Sequence, residues 1–577
     1  MADLFDIEND IANAAQAVEE TVVDSVAQVT HHGKTAEETA AERAEPQGWA
    51  PSVDIPDDPL KWGRTFPKAA EWKLRDTQMR RNLKHATTTI RNKRDMRVEE
   101  TPDWEELRLA AESIKRYTMS HLPELLEQLE ANVTARGGIV HWAKDAAEAR
   151  EIVLDLIRQK DTDRVVKVKS MATQEINLNE YLKDNGVTAV ETDLAEMIVQ
   201  LSDDMPSHIV VPAIHRNRSE VRAIFNARMG DAPEGLTDDP RDLTMAARAH
   251  LRKEFLQAKV AISGSNMMIA DTGTLTVFES EGNGRMCLTL PDTLISVVGI
   301  EKVVPTFQDA EVFAQLLPRS ATGERMNPYT SLWTGVTPGD GPQEFHLILM
   351  DNGRTKVLSD PLGRQALHCI RCGACMNVCP VYEHVGGHAY QSVYPGPIGA
   401  ILTPQLRGAF DHGDPAATLP FASSLCGACG EACPVRIPIP DLLVHLRHRV
   451  IEDDRGGIPN VWDAAMKVST VPMSSGGMMN MAGAVMPVGR LVAGADRRIT
   501  NLPWPATIWT NTRDIPAPPA QSFRQWYRAY DKEGRHATPT PVTGSAGGGT
   551  GGEPVVDGPS DQAADAGRNA DAKEADK

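Results

Sequence analysis

The sequence lacks any uninterrupted apolar segment that approaches the ~18–20 residues of a membrane-spanning helix. It also lacks a basic segment followed by an apolar one at its start, because Met1–Asp6 already contains two aspartates. No secretory signal is therefore visible, and we expect a cytoplasmic location. Docking at the periphery of a membrane stays compatible with this expectation.

An excess of positive charge is also lacking. The net charge is −19, which does not suit a nucleic-acid partner, since phosphate binding needs a concentrated basic face. No G-x-G-x-x-G motif follows a predicted strand, and the glycine tract Gly547–Gly549 lies near the end of the chain. No flavin or nicotinamide site is indicated.

With 577 residues and 41% hydrophobic residues, the chain is long enough for several domains. Helical stretches alternate with β-branched runs at Arg164–Val168, His208–Pro212 and Thr274–Phe278, which predicts an α/β domain with a largely parallel sheet. We predict an acidic, partly flexible extension over 1–60, the α/β domain with N-terminal helices over 61–350, a helical cysteine-bearing domain over 351–455, a Trp- and Pro-rich region over 456–536, and a disordered tail over 537–577.

The cysteines are distributed unevenly. Seven of the 8 lie between positions 369 and 433. Clustered thiols in a large chain without a visible leader indicate a metal centre rather than a disulfide framework. Cys287 stands apart in the strand-like run Arg285–Thr289, and we predict that it is a buried apolar side chain.

The first cysteine run, Cys369–Pro380, reads C-x2-C-x2-C-x3-C-P, the spacing of bacterial [4Fe–4S] ferredoxins. Three thiolates on one tight loop reach different irons of one cluster, while the fourth points toward a neighbouring cluster. The second cysteine run, Cys426–Pro434, reads C-x2-C-x3-C-P. Crosswise ligation then predicts Cys369, Cys372, Cys375 and Cys433 for cluster 1, and Cys379, Cys426 and Cys429 for cluster 2.

The second cysteine run is one thiol short. Alignment on the terminal proline places Ser423 where another cysteine would stand. Three interpretations remain open: Ser423 or another oxygen completes the cluster, the fourth iron is open to water or substrate, or the cluster is [3Fe–4S]. Zinc is the alternative metal, but zinc sites rarely need this spacing. We expect His368 to be a neighbour of the cluster or a surface residue rather than a ligand.

The 46 residues between the runs (380–425) are too many for a compact βαββαβ ferredoxin and favour a helical one. Helices are predicted over Pro397–Phe410 and from Pro440 to about Glu452.

Two other polar groups could serve a substrate. The glycine-containing loops Ser263–Asn266, Asp271–Thr274 and Glu281–Arg285 could hold a carboxylate or phosphate, with Arg285 as the anchor, or could be tight turns around a strand. His215 follows an apolar run and could act as a general base, or could simply precede a helix.

Several motifs closely resemble the lactate utilization protein B family, in the family's order and over about 60–530. They are Lys169–Met171, Glu175–Leu182, Glu191–Leu194, Pro206–Ile209, Ala270–Gly273, Glu281–Arg285, both cysteine runs, and Trp504–Tyr527.

The resemblance implies an α/β lactate-utilization domain, similar to sugar-phosphate isomerases and CoA transferases, followed by a helical ferredoxin domain with two [4Fe–4S] sites. It implies an electron-transfer role beside two partner subunits in an NAD-independent oxidation of L-lactate to pyruvate, with an unidentified electron acceptor. The missing eighth cysteine is then a family trait. An electron relay for another 2-hydroxy acid such as glycolate, and a redox-responsive iron–sulfur scaffold, are the alternatives.

Overall fold

The computed structural model describes residues 63–410 and 413–453 and, further along the chain, 467–468, 470–471, 473–502, 507–510 and 513–532. The predicted acidic extension (1–60) and disordered tail (537–577) lie outside these residues, as does Trp504. The chain divides into two units, Met1–Gly456 and Gly457–Lys577, and each is described by itself.

Helices open the described part of the first unit. The longest begins at Asp76, whose carboxylate accepts a hydrogen bond from the Met79 amide at 2.9 Å and so satisfies an amide that the helix leaves unpaired. The next two bury Trp104, Leu125 and Leu129 in the main hydrophobic core. These helices are α1 (Phe66–Lys73), α2 (Thr77–Glu99), α3 (Trp104–Ser120) and α4 (Leu122–Ala135).

The strands of the first unit form two sheets. They are β1 (Gly138–Ala143), β2 (Arg164–Lys167), β3 (Thr188–Glu191), β4 (Val260–Ser263), β5 (Met267–Ile269), β6 (Thr274–Glu279), β7 (Thr293–Gly299), β8 (Val303–Val304), β9 (Tyr329–Trp333) and β10 (Glu344–Met350). The main sheet is parallel throughout, in the order β1-β10-β7-β4-β2-β3.

Both faces of the main sheet are covered. Along β7, Leu294 and Val298 belong to one hydrophobic cluster, while Ile295 and Val297 belong to the cluster on the other face. A strand with two buried faces reads as a continuous apolar run, which is why β7 contains no charged residue. The helices between the strands are α5 (Ala146–Arg158), α6 (Met171–Glu175), α7 (Leu178–Asp184), α8 (Leu194–Leu201), α9 (Arg218–Arg228), α10 (Pro240–Gln257), α11 (Asn283–Thr289) and α12 (Phe307–Ala321).

The smaller sheet has the order β8-β5-β6-β9, and β5 pairs with β6 in antiparallel fashion. The turn between them contains Gly273 at φ +70°. A Cβ atom there would lie 2.8 Å from the backbone of Asn132, so the turn needs glycine.

The cysteine segment is made of short helices. In this segment, the helix Gly396–Arg407 is buried along nearly its whole length, and Leu442, Leu443 and Leu446 of the helix Ile439–Asp453 are buried against the same core. The α-helices are α13 (Arg354–Leu358), α14 (Ala374–Asn377), α15 (Pro380–Val385), α16 (Gly396–Arg407), α17 (Ala428–Ala432) and α18 (Ile439–Asp453); 3-10 helices span Gly363–His368, Gly387–Tyr390 and Pro415–Phe421.

The described part of the second unit contains helices α19 (Gly476–Val485), α20 (Thr507–Thr510) and α21 (Phe523–Lys532), a 3-10 helix over Met486–Val492, and the two-stranded sheet β11 (Arg498–Ile499) and β12 (Ile515–Pro516). Of the helices described in either unit, none is both long and apolar enough to cross a membrane.

The predicted fold class, an α/β domain followed by a helical cysteine segment, is confirmed. Two local predictions are wrong. The run His208–Val211 is a series of bends, because the His208 ring binds the amides that a strand would need. Arg285–Thr289 belongs to helix α11 rather than a strand, although Cys287 is fully buried as predicted.

Candidate iron–sulfur centre

The seven clustered cysteines lie on loops and helix ends of the first unit. Cys369 directly follows the 3-10 helix Gly363–His368, Cys375 lies on α14, and Cys379 is the N-cap residue of α15. Six of the seven are buried, and Cys426 is exposed. His368 is buried beside the first of them, and burial with nearby Lys115 and Arg116 lowers its pKa to about 3.

The two cysteine runs share a backbone conformation. A short helix begins directly after a glycine in each run. The residues on either side of the cysteine before that helix have positive φ angles, namely Arg371 (+65°) and Gly373 (+76°) around Cys372, and Leu425 (+56°) and Gly427 (+90°) around Cys426.

This match extends to Ser423. The Cys369 sulfur accepts a hydrogen bond from the Arg371 amide at 3.4 Å. The Ser423 hydroxyl accepts one from the Leu425 amide at 3.1 Å, at the same offset in the second run. Ser423 therefore occupies the position that Cys369 has in the first run.

The thiols influence one another in two groups. Burial raises the pKa of Cys372 to about 12, and the charges of Cys433 and Cys369 contribute to the rise. Burial likewise raises the pKa of Cys429 to about 12, with Cys379 and Cys426 contributing.

Thiols of both groups contribute to the pKa of Cys375. Its pKa is raised by burial and then by Cys369, Cys372, Cys429 and Cys433. Because the thiolate is the metal ligand, cluster binding must displace these protons.

Backbone amides point at the sulfurs. The Tyr382 amide lies 3.5 Å from the Cys379 sulfur, and the Ile437 amide lies 3.4 Å from the Cys433 sulfur. Hydrogen bonds to a thiolate stabilise its charge and tune a bound cluster's reduction potential. The residues present therefore fit an anionic iron–sulfur centre.

The spacing of the sulfurs does not match a single zinc ion. Four thiolates on one zinc lie about 3.8 Å apart, since each Zn–S bond is about 2.3 Å. The described residues include every cysteine. Within them, a group of three possible metal ligands whose donor atoms all lie within 4.8 Å of one another is formed by Asp204, His215 and His388, and not by cysteines. Thiolates that each bind a different iron must be more widely spaced.

Two arginines from the N-terminal helices hold the second cysteine run. Arg108 Nε and Nη2 donate to the Cys433 carbonyl at 3.0 and 2.9 Å, and Nη2 also donates to the Glu431 carbonyl at 2.9 Å. Arg94 Nη2 donates to the Ala432 carbonyl at 3.2 Å. Nothing in the local sequence indicated either role, because the partners lie more than three hundred residues away along the chain.

A buried ion network joins the main sheet to the first cysteine run. Arg354, the first residue of the helix α13 that follows β10, binds Glu175 at 2.9 and 3.0 Å and Glu301 at 2.5 Å. Arg371 of the cysteine run binds the other Glu301 oxygen at 3.3 Å. Burial alone would raise the pKa of Glu301, but the cations Arg354, Lys302 and Arg371 outweigh it and lower the pKa to about 2.

The carboxyl ends of β7 and β10 therefore face the first cysteine run. The chain leaves β2 toward β3 on one side, and leaves β4 toward β7 on the other. Open α/β sheets bind ligands at such a switch point. At this point Gly264 approaches Ser170 so closely that a Cβ atom would lie 2.7 Å from the serine hydroxyl, and Lys169 Nζ donates to the Val210 carbonyl at 2.6 Å.

Two amides of the loop Glu281–Arg285 already have a carboxylate partner. The Gly284 and Arg285 amides both donate to the Glu279 carboxylate, at 2.7 and 2.6 Å. The Arg285 guanidinium lies over the Tyr329 ring, 5.6 Å from its centroid. The turn interpretation describes this loop better than the substrate-anchor interpretation.

His215 is held inside a polar cluster. Its Nδ1 lies 2.7 Å from the Ser207 hydroxyl, and its Nε2 lies 2.9 Å from the Asp204 carboxylate. Arg216 also binds Asp204, at 2.5 Å, and His388 lies beside it. Arg216 already neutralises the Asp204 carboxylate, so we interpret this cluster as an ion-pair network. His215 lies in the turn before α9.

These features define a class of protein, an α/β sheet protein with a ferredoxin-type segment against the carboxyl ends of its strands. Residues 126–350 match the family described as LUD domain, and residues 365–437 match the one described as 4Fe-4S dicluster domain. Lactate utilization protein B of Shouchella clausii is 42% identical over 475 residues, covering 82% of this chain and 98% of the relative.

Lactate utilization protein B of Bacillus subtilis is 44% identical over 453 residues, covering 78% of this chain and 93% of the relative. The chain belongs to the lactate utilization protein B family, as its motifs predicted. A solved structure of a DUF162 family protein from Deinococcus radiodurans aligns with 40% of this chain and 98% of its own at 15% identity, with a TM-score of 0.23 that is too low for structural comparison.

Proposed function

We propose that this protein is the iron–sulfur electron-transfer subunit of a complex that oxidises L-lactate to pyruvate without NAD. The observation that carries the proposal is the convergence of two ferredoxin-type cysteine runs, the first of which is tied through Glu301 to the carboxyl edge of the sheet, in a member of this family. Lactate oxidation releases two electrons and two protons. When bound, each cluster supplies a one-electron carrier.

We assign cluster 1 to Cys369, Cys372, Cys375 and Cys433, and cluster 2 to Cys379, Cys426 and Cys429. The thiols that contribute to the raised pKa values of Cys372 and Cys429 support this division. We also assign the domains as predicted, with the α/β domain over 61–350, the helical ferredoxin domain over 351–455 and the family extension over 456–536. Two further lactate-utilization subunits and an electron acceptor complete the proposed complex, in the cytoplasm.

Residues of this chain would support the reaction by positioning the first cysteine run and the substrate. The Glu301 carboxylate, bound by Arg354 and Arg371, fixes the first cysteine run against the ends of β7 and β10. A substrate bound near the switch point would therefore lie on the side of the sheet that carries the first cysteine run. Lys169, beside Ser170 and Gly264, is the cation that would attract a 2-hydroxy acid carboxylate there.

A deletion strain tests the function. In a host with no other lactate dehydrogenase, loss of this gene is expected to abolish growth on L-lactate as sole carbon source while growth on pyruvate continues. A plasmid carrying the wild-type chain or Cys287→Ala should restore growth, and one carrying Cys372→Ala should not. Normal growth of the deletion strain on L-lactate contradicts the proposal.

The purified complex distinguishes this function from its alternatives. With both partner subunits present and air excluded, L-lactate is expected to bleach the visible absorbance of the clusters. Bleaching by glycolate but not by lactate indicates a different 2-hydroxy acid. Clusters that never change oxidation state indicate a scaffold.

We further assign Ser423 to the fourth ligand position of cluster 2, because its hydroxyl matches the Cys369 sulfur in backbone setting and amide hydrogen bond. Ser423→Ala is expected to convert cluster 2 to a three-iron form on mild oxidation, detected as a new EPR signal with loss of iron. Ser423→Cys should resist that loss. The exposed neighbour Ser424 supplies the control, Ser424→Ala. Identical behaviour of Ser423→Ala and wild-type protein contradicts the assignment.

A further inference from the structure

A buried histidine from the α/β domain reaches the first cysteine run. His208 is 2% exposed, and its Nδ1 lies 3.0 Å from the Val210 amide and 3.1 Å from the Val211 amide. A ring nitrogen that accepts hydrogen bonds from two amides carries no proton itself. The proton of the ring is therefore on Nε2, which must be a donor.

That donor fixes the orientation of an asparagine. His208 Nε2 lies 3.1 Å from Asn377 Oδ1. Because Asn377 Oδ1 accepts this hydrogen bond from the histidine, the Asn377 Nδ2 group points away from the ring. Asn377 is 3% exposed, and its Nδ2 is a buried atom with no hydrogen-bond partner among the described residues.

The unpartnered amide lies beside the cluster ligands. Asn377 ends α14, two residues after Cys375 and two before Cys379. A buried polar group without a partner is costly, so a native chain rarely leaves one unsatisfied. The sulfur atoms of a bound cluster are anionic acceptors, and these are the acceptors that this segment is proposed to hold.

We propose that Asn377 Nδ2 donates a hydrogen bond to a sulfur of the adjacent cluster and raises its reduction potential, with His208 as the positioning residue that holds the amide. Reduction adds one electron to the cluster, and its sulfurs become stronger acceptors. The hydrogen bond therefore stabilises the reduced form more than the oxidised form, and no proton is transferred. The inference rests on the proposed cluster ligation and links the α/β domain to the electron carrier.

The test is an anaerobic redox titration of the full chain, followed by EPR. Asn377→Leu keeps the side-chain volume but removes the donor, and is expected to lower the potential of one cluster. His208→Phe keeps an aromatic ring against Tyr382, whose centroid lies 5.8 Å away, but frees the amide, and should lower the same potential by a smaller amount. In the double variant the loss should equal that of Asn377→Leu alone.

Asn179→Leu is the matched control, because that asparagine binds Glu191 in the α/β domain at 2.7 Å and should leave both potentials unchanged. Unchanged potentials in Asn377→Leu overturn the inference. A His208→Phe shift that persists fully in the Asn377→Leu background overturns the positioning role.

A second measurement does not depend on the variants folding. Wild-type protein labelled with ¹⁵N only in asparagine side chains is expected to show a nitrogen coupling to a reduced cluster in pulsed EPR. Absence of that coupling overturns the inference while the cluster ligation stands. Iron and sulfide analysis comes first, since wild-type protein without iron overturns the ligation and this inference together.

Discussion

Cys372→Ala is expected to remove one of the two clusters and about half of the bound iron and sulfide, because each four-iron cluster needs its cysteine thiolates. Cys372 is buried, and it is placed with Cys369 and Cys433 in one group of thiols. Substitution by alanine is a clearer test than substitution by serine, because a serine oxygen can itself bind iron. Iron and sulfide analysis of anaerobically purified protein measures the loss.

EPR adds a second readout to the Cys372→Ala experiment. Two reduced clusters close together couple magnetically, so loss of cluster 1 should leave the simpler spectrum of an isolated centre. Cys287→Ala is the matched control: this thiol is fully buried beside Thr192 and belongs to neither run. Unchanged iron content in Cys372→Ala, or equal losses in both variants, contradicts the ligand assignment.

The cysteine runs were the part of the site that could be predicted, because their chemistry is local. A loop of nine to twelve residues sets the spacing of its own thiols, and positive φ angles at Gly373 and Gly427 are available to glycine without strain. Helix α18 was also predictable, since apolar residues on one face define a helix wherever it packs.

What escaped prediction is held by partners far apart in sequence. Arg354 and Glu175 are separated by 179 positions, and Arg108 and Cys433 by 325. No spacing rule connects such residues before the fold is known. The strand predicted at His208 was wrong for a related reason. The valines of this run have the pattern of a strand, but the His208 imidazole binds their amides.

Arg354→Met is expected to destabilise the protein by about 3–5 kcal/mol, the usual cost of removing one partner from a buried ion pair. The Arg354 side chain is 2% exposed and that of Glu175 is fully buried, so water cannot replace the lost partner. Glu301 would keep Arg371 at 3.3 Å, which leaves Glu175 as the carboxylate most affected. Urea unfolding of the anaerobic protein measures the change.

The pH dependence of Arg354→Met separates lost charge pairing from lost packing. In the wild type, the pKa of Glu301 is lowered to about 2 from 4.5, so its stabilising contribution is fully present above about pH 4.5 and is lost only as the pH falls toward 2. A carboxyl left unpaired in the interior instead has a raised pKa and takes up a proton as the pH falls. The deficit of Arg354→Met should therefore be larger at pH 8 than at pH 6. Lys356→Met, at an exposed position of the same helix α13, should cost far less and vary little with pH, whereas an equal loss in both variants contradicts the proposed network.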